Sequence, residues 1–151
     1  MPEAAILFVC PDNSLLGPLA EAYLNVRGRG QVRAFSAGVK PAQMLHPAVR
    51  KLLSAHEVPA DGLQPKSMDI FLMPHAPFPD QVIYLSDMKP VDLPMGWDKA
   101  VSIDHWQIAG SAPYPATFSY ASEYFRRIRL AADRALLCEP LVGPTCRAEV
   151  A

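Results

Sequence analysis

The stretch Ala4–Ala22 reads AAILFVCPDNSLLGPLAEA. Its opening, Ala5 to Val9, is a short run of Ala, Ile, Leu, Phe and Val, too compact for a helix and suited to a buried strand. The run stops at Cys10, where Pro11, Asp12, Asn13 and Ser14 supply turn chemistry. Leu19, Ala20, Tyr23 and Leu24 then recur at helical spacing, and Pro18 suits a first helical position, so a helix opens near it. Strand, short loop and helix in this order aim the loop N–H groups and a helix N-terminus at one spot. Cys10 stands on the rim of that spot, where a helix N-terminus favours the thiolate. The loop holds no Lys or Arg, so it has the shape of a phosphate cradle without its charge.

Outward from this unit, Arg27-Gly28-Arg29-Gly30 ends the helix, with Gly28 or Gly30 as a left-handed cap. Val32 to Phe35 reads as a second buried strand, and His46-Pro47 opens an amphipathic helix that turns Val49, Leu52 and Leu53 to one side. Gln81 to Leu85 is a third strand and Ala100 to Ile103 a fourth. Phe118, Ala121, Phe125, Ile128 and Ala132 repeat at helical spacing, which predicts a long helix over about 117–137. Strands alternating with helices imply an α/β domain, its parallel sheet covered on both faces. In such a sheet ligands bind beyond the C-terminal strand ends, and Cys10 ends the first strand.

Bulk properties narrow the function. A chain of 151 residues, half of them hydrophobic, suffices for one sizeable core. The division expected is a single domain over 1–138 and a loose tail over 139–151, where Pro140, Gly143 and Pro144 fall. A net charge of −1 offers no basic field for nucleic acid. No run approaches the ~18 apolar residues of a membrane span, and no basic residue precedes the first apolar run as in a signal peptide. A cytoplasmic protein with neither nucleic-acid nor membrane partners is expected. Cys10, Cys138 and Cys146 are too few for a disulfide framework. His46, His56, His75 and His105 show no ligand spacing with them, so no metal and no cofactor are implied and the histidines read as caps or surface groups.

Val9, Cys10, Asn13, Ser14 and Ala20-Glu21-Ala22 resemble the signature of the low-molecular-weight protein tyrosine phosphatases and their arsenate-reductase relatives. The resemblance continues through Ser36-Ala37-Gly38, His46-Pro47, Pro65-Lys66-Ser67, Val82-Ile83 with Asp87, Trp106, and the last helix with Phe125 and Ile128. It implies a three-layer sandwich with a four-stranded parallel sheet in the order 2-1-3-4. It also implies Cys10 as nucleophile if the protein is active, and Pro11, Asp12, Asn13, Ser14, Leu15, Leu16 and Gly17 as the ligand loop. Ser36, Ser86 and Asp87 would form the pocket rim.

Departures from that pattern fall on the chemistry. The family's essential arginine falls on Leu16, and the serine after it on Gly17. Asp12 places a negative charge where a glycine is frequent. The loop that would carry the general-acid aspartate reads Ala109-Gly110-Ser111-Ala112-Pro113, without a carboxylate. Each charge-assisted bond lost with the arginine is worth roughly 1.5–3 kcal/mol, and the missing acid a further ~10²–10⁴-fold in rate. These residues point to a degenerate member with a binding or regulatory role, its affinity for a small anion or phospho-ligand weakened and a protein partner open to it. The alternatives are an active cysteine-dependent phosphatase on protein-tyrosine or aryl phosphates, and an arsenate-reductase-like thiol enzyme using Cys10. The reductase needs a second thiol, which the resemblance would place near Ser86, whereas Cys138 and Cys146 read as packing and tail residues. Asp104 and His105 read as strand-end side chains, Asp87 as a strand-end cap, and Arg126, Arg127 and Arg129 as a solvated face that Glu123 pairs.

Overall fold

A computed structural model describes residues 4–76, 78–93, 97 and 101–137. Strands β1 (Ala4–Cys10), β2 (Val32–Gly38), β3 (Gln81–Ser86) and β4 (Ser102–Ala109) form one sheet in the order β2-β1-β3-β4. Every pairing is parallel. The helices are α1 (Leu16–Arg27), α2 (Pro47–Ala55) and α3 (Phe118–Leu136), with a 3-10 helix over Met68–Leu72. None of the described helices is long and apolar enough to cross a membrane.

β1 lies between β2 and β3, and its alternation divides the core. Ile6, Phe8 and Cys10 pack with Leu16, Leu19, Leu53, Phe125 and Ile128 on the side of the three helices. Leu7 and Val9 pack with Met68, Phe71 and Trp97 on the other side. This is why the strand reads as an unbroken apolar run: successive side chains point to opposite faces, and both faces are covered. Among the described residues the second face is covered by the 3-10 helix, Trp97 and Val101.

Several elements differ from the periodicity reading. Of the two glycines expected after α1, Gly30 takes the left-handed conformation (φ 82°), as does Arg29 (φ 50°) before it, while Gly28 stays helical and its N–H bonds Leu24 O. β2 runs on to Gly38, and β4 starts at Ser102 with Ala100 outside the described residues. Asp104, His105 and Trp106 therefore lie within β4 instead of beyond it. β4 is an edge strand whose inner face carries Trp106, packed against Phe8, and Asp104, which accepts a bond from Gln81 Nε2. Polar residues break the apolar run, so the strand is hard to see in sequence. In α3, Phe118 is half exposed and Tyr124 is buried in its place, because the first turn of the helix projects past the core. The tail from residue 138 onward lies outside the described residues, Cys138 and Cys146 included.

The end of β2 backs the turn that follows β1. Gly38 pairs in register with Cys10, and its N–H bonds Lys66 O. A Cβ at Gly38 would lie 2.9 Å from Asn13 N and from the Asp12 carbonyl carbon. Backbone cannot yield as a flexible side chain does, so Gly38→Ala is expected to cost about 1–3 kcal/mol in urea unfolding. Gly110→Ala, whose methyl meets nothing within 4 Å, is expected to leave stability unchanged or slightly raised.

Candidate functional site

The strand parity that sends Ile6 and Phe8 toward the helices also sends Cys10 there, under the N-terminus of α1. Its side chain is wholly buried. Backbone N–H groups of Gly17, Asn13 and Asp12 bond the sulfur and favour the thiolate, but burial outweighs them and pushes the thiol up to about 12, with the Asp12 charge adding to the rise. This reverses the expectation from the helix N-terminus. Taking the thiolate out of water costs more than those dipoles return. Asn13, also wholly buried, adopts the left-handed conformation (φ 54°) that Asn tolerates better than most residues. Its side chain lies against Gly17, where a Cβ would strike Asn13 Oδ1 and come within 3.3 Å of Cys10 Sγ.

Several other polar groups of the turn are bonded internally, whereas the buried Asn13 Oδ1 has no hydrogen-bond partner among the described residues. Ser14 N–H donates to Asp12 Oδ1 at 3.1 Å. The carbonyls of Pro11, Asp12 and Ser14 accept from Lys40, Ala42 and His46 N–H, each at 2.9 Å. His46 caps α2 by accepting from Ala48 N–H at Nδ1, and its Nε2–H donates to Ala116 O at 2.7 Å. Beneath the turn, Glu21 accepts from Ser36 Oγ at 2.7 Å and from Lys66 Nζ at 3.1 Å.

Above the turn opens a cleft of about 430 Å³ lined by Pro11, Asp12, Ser14, Leu15 and His46 together with Ala112, Pro113, Tyr114 and Ala116. The structure thus brings four of the expected loop residues to the cleft, while Cys10, Asn13, Leu16 and Gly17 are buried and lie outside its lining. Leu16 belongs to the core. Ser36 is buried on Glu21, Ser86 is buried at the end of β3, and Asp87 is exposed 3.8 Å from His105, so none of these three lines the cleft. Ala112 puts a methyl group directly before Pro113, where the resemblance would put the acid.

Tyr114, Ala116 and the wall role of His46 were not apparent in the sequence, although Tyr114 directly follows Pro113 in the loop that the resemblance singles out. Burial raises the Tyr114 phenol, and the acidic groups of Cys10, Asp12 and Tyr124 raise it further. Among the described residues no Lys or Arg offsets the rise at Tyr114 or at Cys10.

The other candidates lie elsewhere. His105 donates from Nε2 to Ser86 O. Arg126 and Arg127 both bond Glu123, holding its carboxyl down at about 2, and Arg129 lies over the Phe125 ring. Among the described residues no three His, Cys, Asp or Glu side chains converge as a metal site.

Comparison with known proteins follows this geometry. The sequence profile of the low molecular weight phosphotyrosine protein phosphatase family matches residues 5–109. No curated protein gives a significant sequence match. Among solved structures, an arsenate reductase in the phosphate binding state superposes with a TM-score of 0.71 at 19% identity, over 89% of this chain and 97% of that one. A thioredoxin-dependent arsenate reductase of Corynebacterium glutamicum gives 0.65 at 23% identity, over 87% of this chain and 61% of that one. An arginine phosphatase from Geobacillus stearothermophilus gives 0.62 at 15% identity, over 89% and 91%. At these identities the likeness is one of fold.

The raised thiol has a consequence for stability. The folded pKa of about 12 exceeds the unfolded value of about 8.5, so the protonated thiol favours the folded state. That contribution is complete below the unfolded value and is lost as pH rises toward the folded one. The stability difference between the wild type and Cys10→Ala, measured by urea unfolding, is expected to shrink steadily over that window and to stay flat below it.

Proposed function

The chain belongs to the low molecular weight phosphotyrosine protein phosphatase family, and we propose that it is a catalytically impaired member that uses the cleft over the β1–α1 turn for binding or regulation. The observation that carries this reading is the state of Cys10. A cysteine phosphatase needs a thiolate, a cation for the equatorial oxygens and an acid for the leaving group. Cys10 is wholly buried, burial pushes its thiol up to about 12, and no Lys or Arg among the described residues offsets that rise.

The other two requirements fail at Leu16, which sits in the core, and at Ala112, which is a methyl group on the cleft wall. Asp12 adds repulsion against a dianion. Leaving-group protonation alone is worth ~10²–10⁴-fold, so these losses compound. The arsenate-reductase reading has less support, because the hydroxyl of Ser86 stands near the position of a second thiol.

Hydrolysis of p-nitrophenyl phosphate by the protein and by Cys10→Ser is expected to proceed at the same background rate. Clear turnover that disappears in Cys10→Ser would overturn the reading and establish an active cysteine phosphatase. Leu16→Arg by itself is expected to stay at background, since Asp12 and Ala112 remain. Turnover restored in that variant would mean that the arginine alone was missing.

A further inference from the structure

We propose that the cleft is a receptor for a compact organic cation, an ammonium or guanidinium on an apolar stem, with Asp12 as its counter-ion. This rests on the reading of the protein as a binding member of its family and names the ligand class of that site.

Donor accounting carries the argument. An oxyanion needs N–H groups that converge on it. Here the N–H groups of Asp12, Asn13 and Gly17 bond the Cys10 sulfur, and that of Ser14 bonds the Asp12 carboxylate. His46, also on the wall, spends Nδ1 on Ala48 N–H and its Nε2–H on Ala116 O. What faces the cleft is instead an acceptor set. Asp12 is half-buried and lines the space, and Ser14 N–H takes only one of the roughly four lone-pair sites a carboxylate offers.

Charge and shape agree with this. Among the described residues no Lys or Arg lines the cleft, and Asp12 is the carboxylate there. Pro11, Leu15, Ala112, Pro113 and Ala116 supply walls for an apolar stem. Tyr114 stays a neutral phenol and presents an aromatic ring to the same space, a surface that attracts cations. A volume of about 430 Å³ leaves room for a single ring or one long side chain.

The test is calorimetric titration of the full chain and of Asp12→Asn with benzylammonium, benzyl alcohol and phenyl phosphate. Asn can still accept from Ser14 N–H, so this variant preserves the turn. The expected result is binding of benzylammonium in preference to the other two, weakened about tenfold or more in Asp12→Asn, as loss of one charge-assisted bond predicts. A parallel titration with a short lysine peptide separates the sources: tighter binding of the peptide assigns the cation to a protein partner, and tighter binding of benzylammonium assigns it to a free amine. Equal binding of benzyl alcohol, insensitive to Asp12→Asn, would overturn the cation proposal and leave the binding reading standing. Preference for phenyl phosphate would overturn the cation proposal and assign the cleft to an anion, again leaving the binding reading standing. Absence of binding by the amine and the peptide would overturn the cation proposal alone.

Discussion

The turn between β1 and α1 is buried, and a buried backbone must find partners for its own polar groups. Cys10, Asn13 and Gly17 are inaccessible to solvent, or nearly so. The N–H groups of Asp12, Asn13 and Gly17 are directed at the Cys10 sulfur, and the carbonyls of Pro11, Asp12 and Ser14 accept from the segment from Lys40 to His46. These bonds join the end of β1 to the start of α2, and His46 carries the connection on to Ala116. Gly38 and Gly17 are where the chain passes too close for a side chain. One satisfied turn therefore locates β2, α1, α2 and the loop before α3 relative to each other.

The same constraint decides the chemistry. A turn that cradles an oxyanion must leave its donors unpaired toward solvent until the ligand arrives. This turn has built acceptors into itself: the Asp12 carboxylate for Ser14 and the Cys10 sulfur for three other amides. Stability and anion affinity draw on the same N–H groups, and here stability holds them. The thiol follows the same balance. Three backbone donors and a helix N-terminus pull its pKa down, while burial and Asp12 push it up by more. With Leu16 in the core, no guanidinium offsets that burial.

Legibility varied with the physics behind each element. β1 and α2 were plain because burial on both faces, or on one helical face, leaves a periodic trace in Ile6 to Val9 and in Val49, Leu52 and Leu53. β4 was displaced in the reading because an edge strand tolerates Asp104, His105 and Gln107, which interrupt the apolar signal. Phe118 followed the period of α3 yet lies half exposed, since periodicity reports a face and not how far the core extends along it. Glu123 could be paired with Arg126 and Arg127 from spacing alone, because such pairs are local to a helix. His46 could be recognised as a cap for the same reason, but its bond to Ala116 spans distant parts of the chain.

By itself the sequence determined the layering of the α/β fold, the place of Cys10 at a strand end, and the absence of an arginine and an acid from the positions that would serve a phosphate. The first two are properties of residue type and short-range spacing; the third rests on the resemblance to the family. Tertiary structure alone decided that Leu16 belongs to the core, that burial raises the Cys10 thiol, and that Asp12 shares a cleft with Tyr114 and His46. Burial and long-range proximity settle these, and neither is encoded locally. Dielectric surroundings depend on every segment that packs over a group, so the charge of a thiol follows only from the assembled chain.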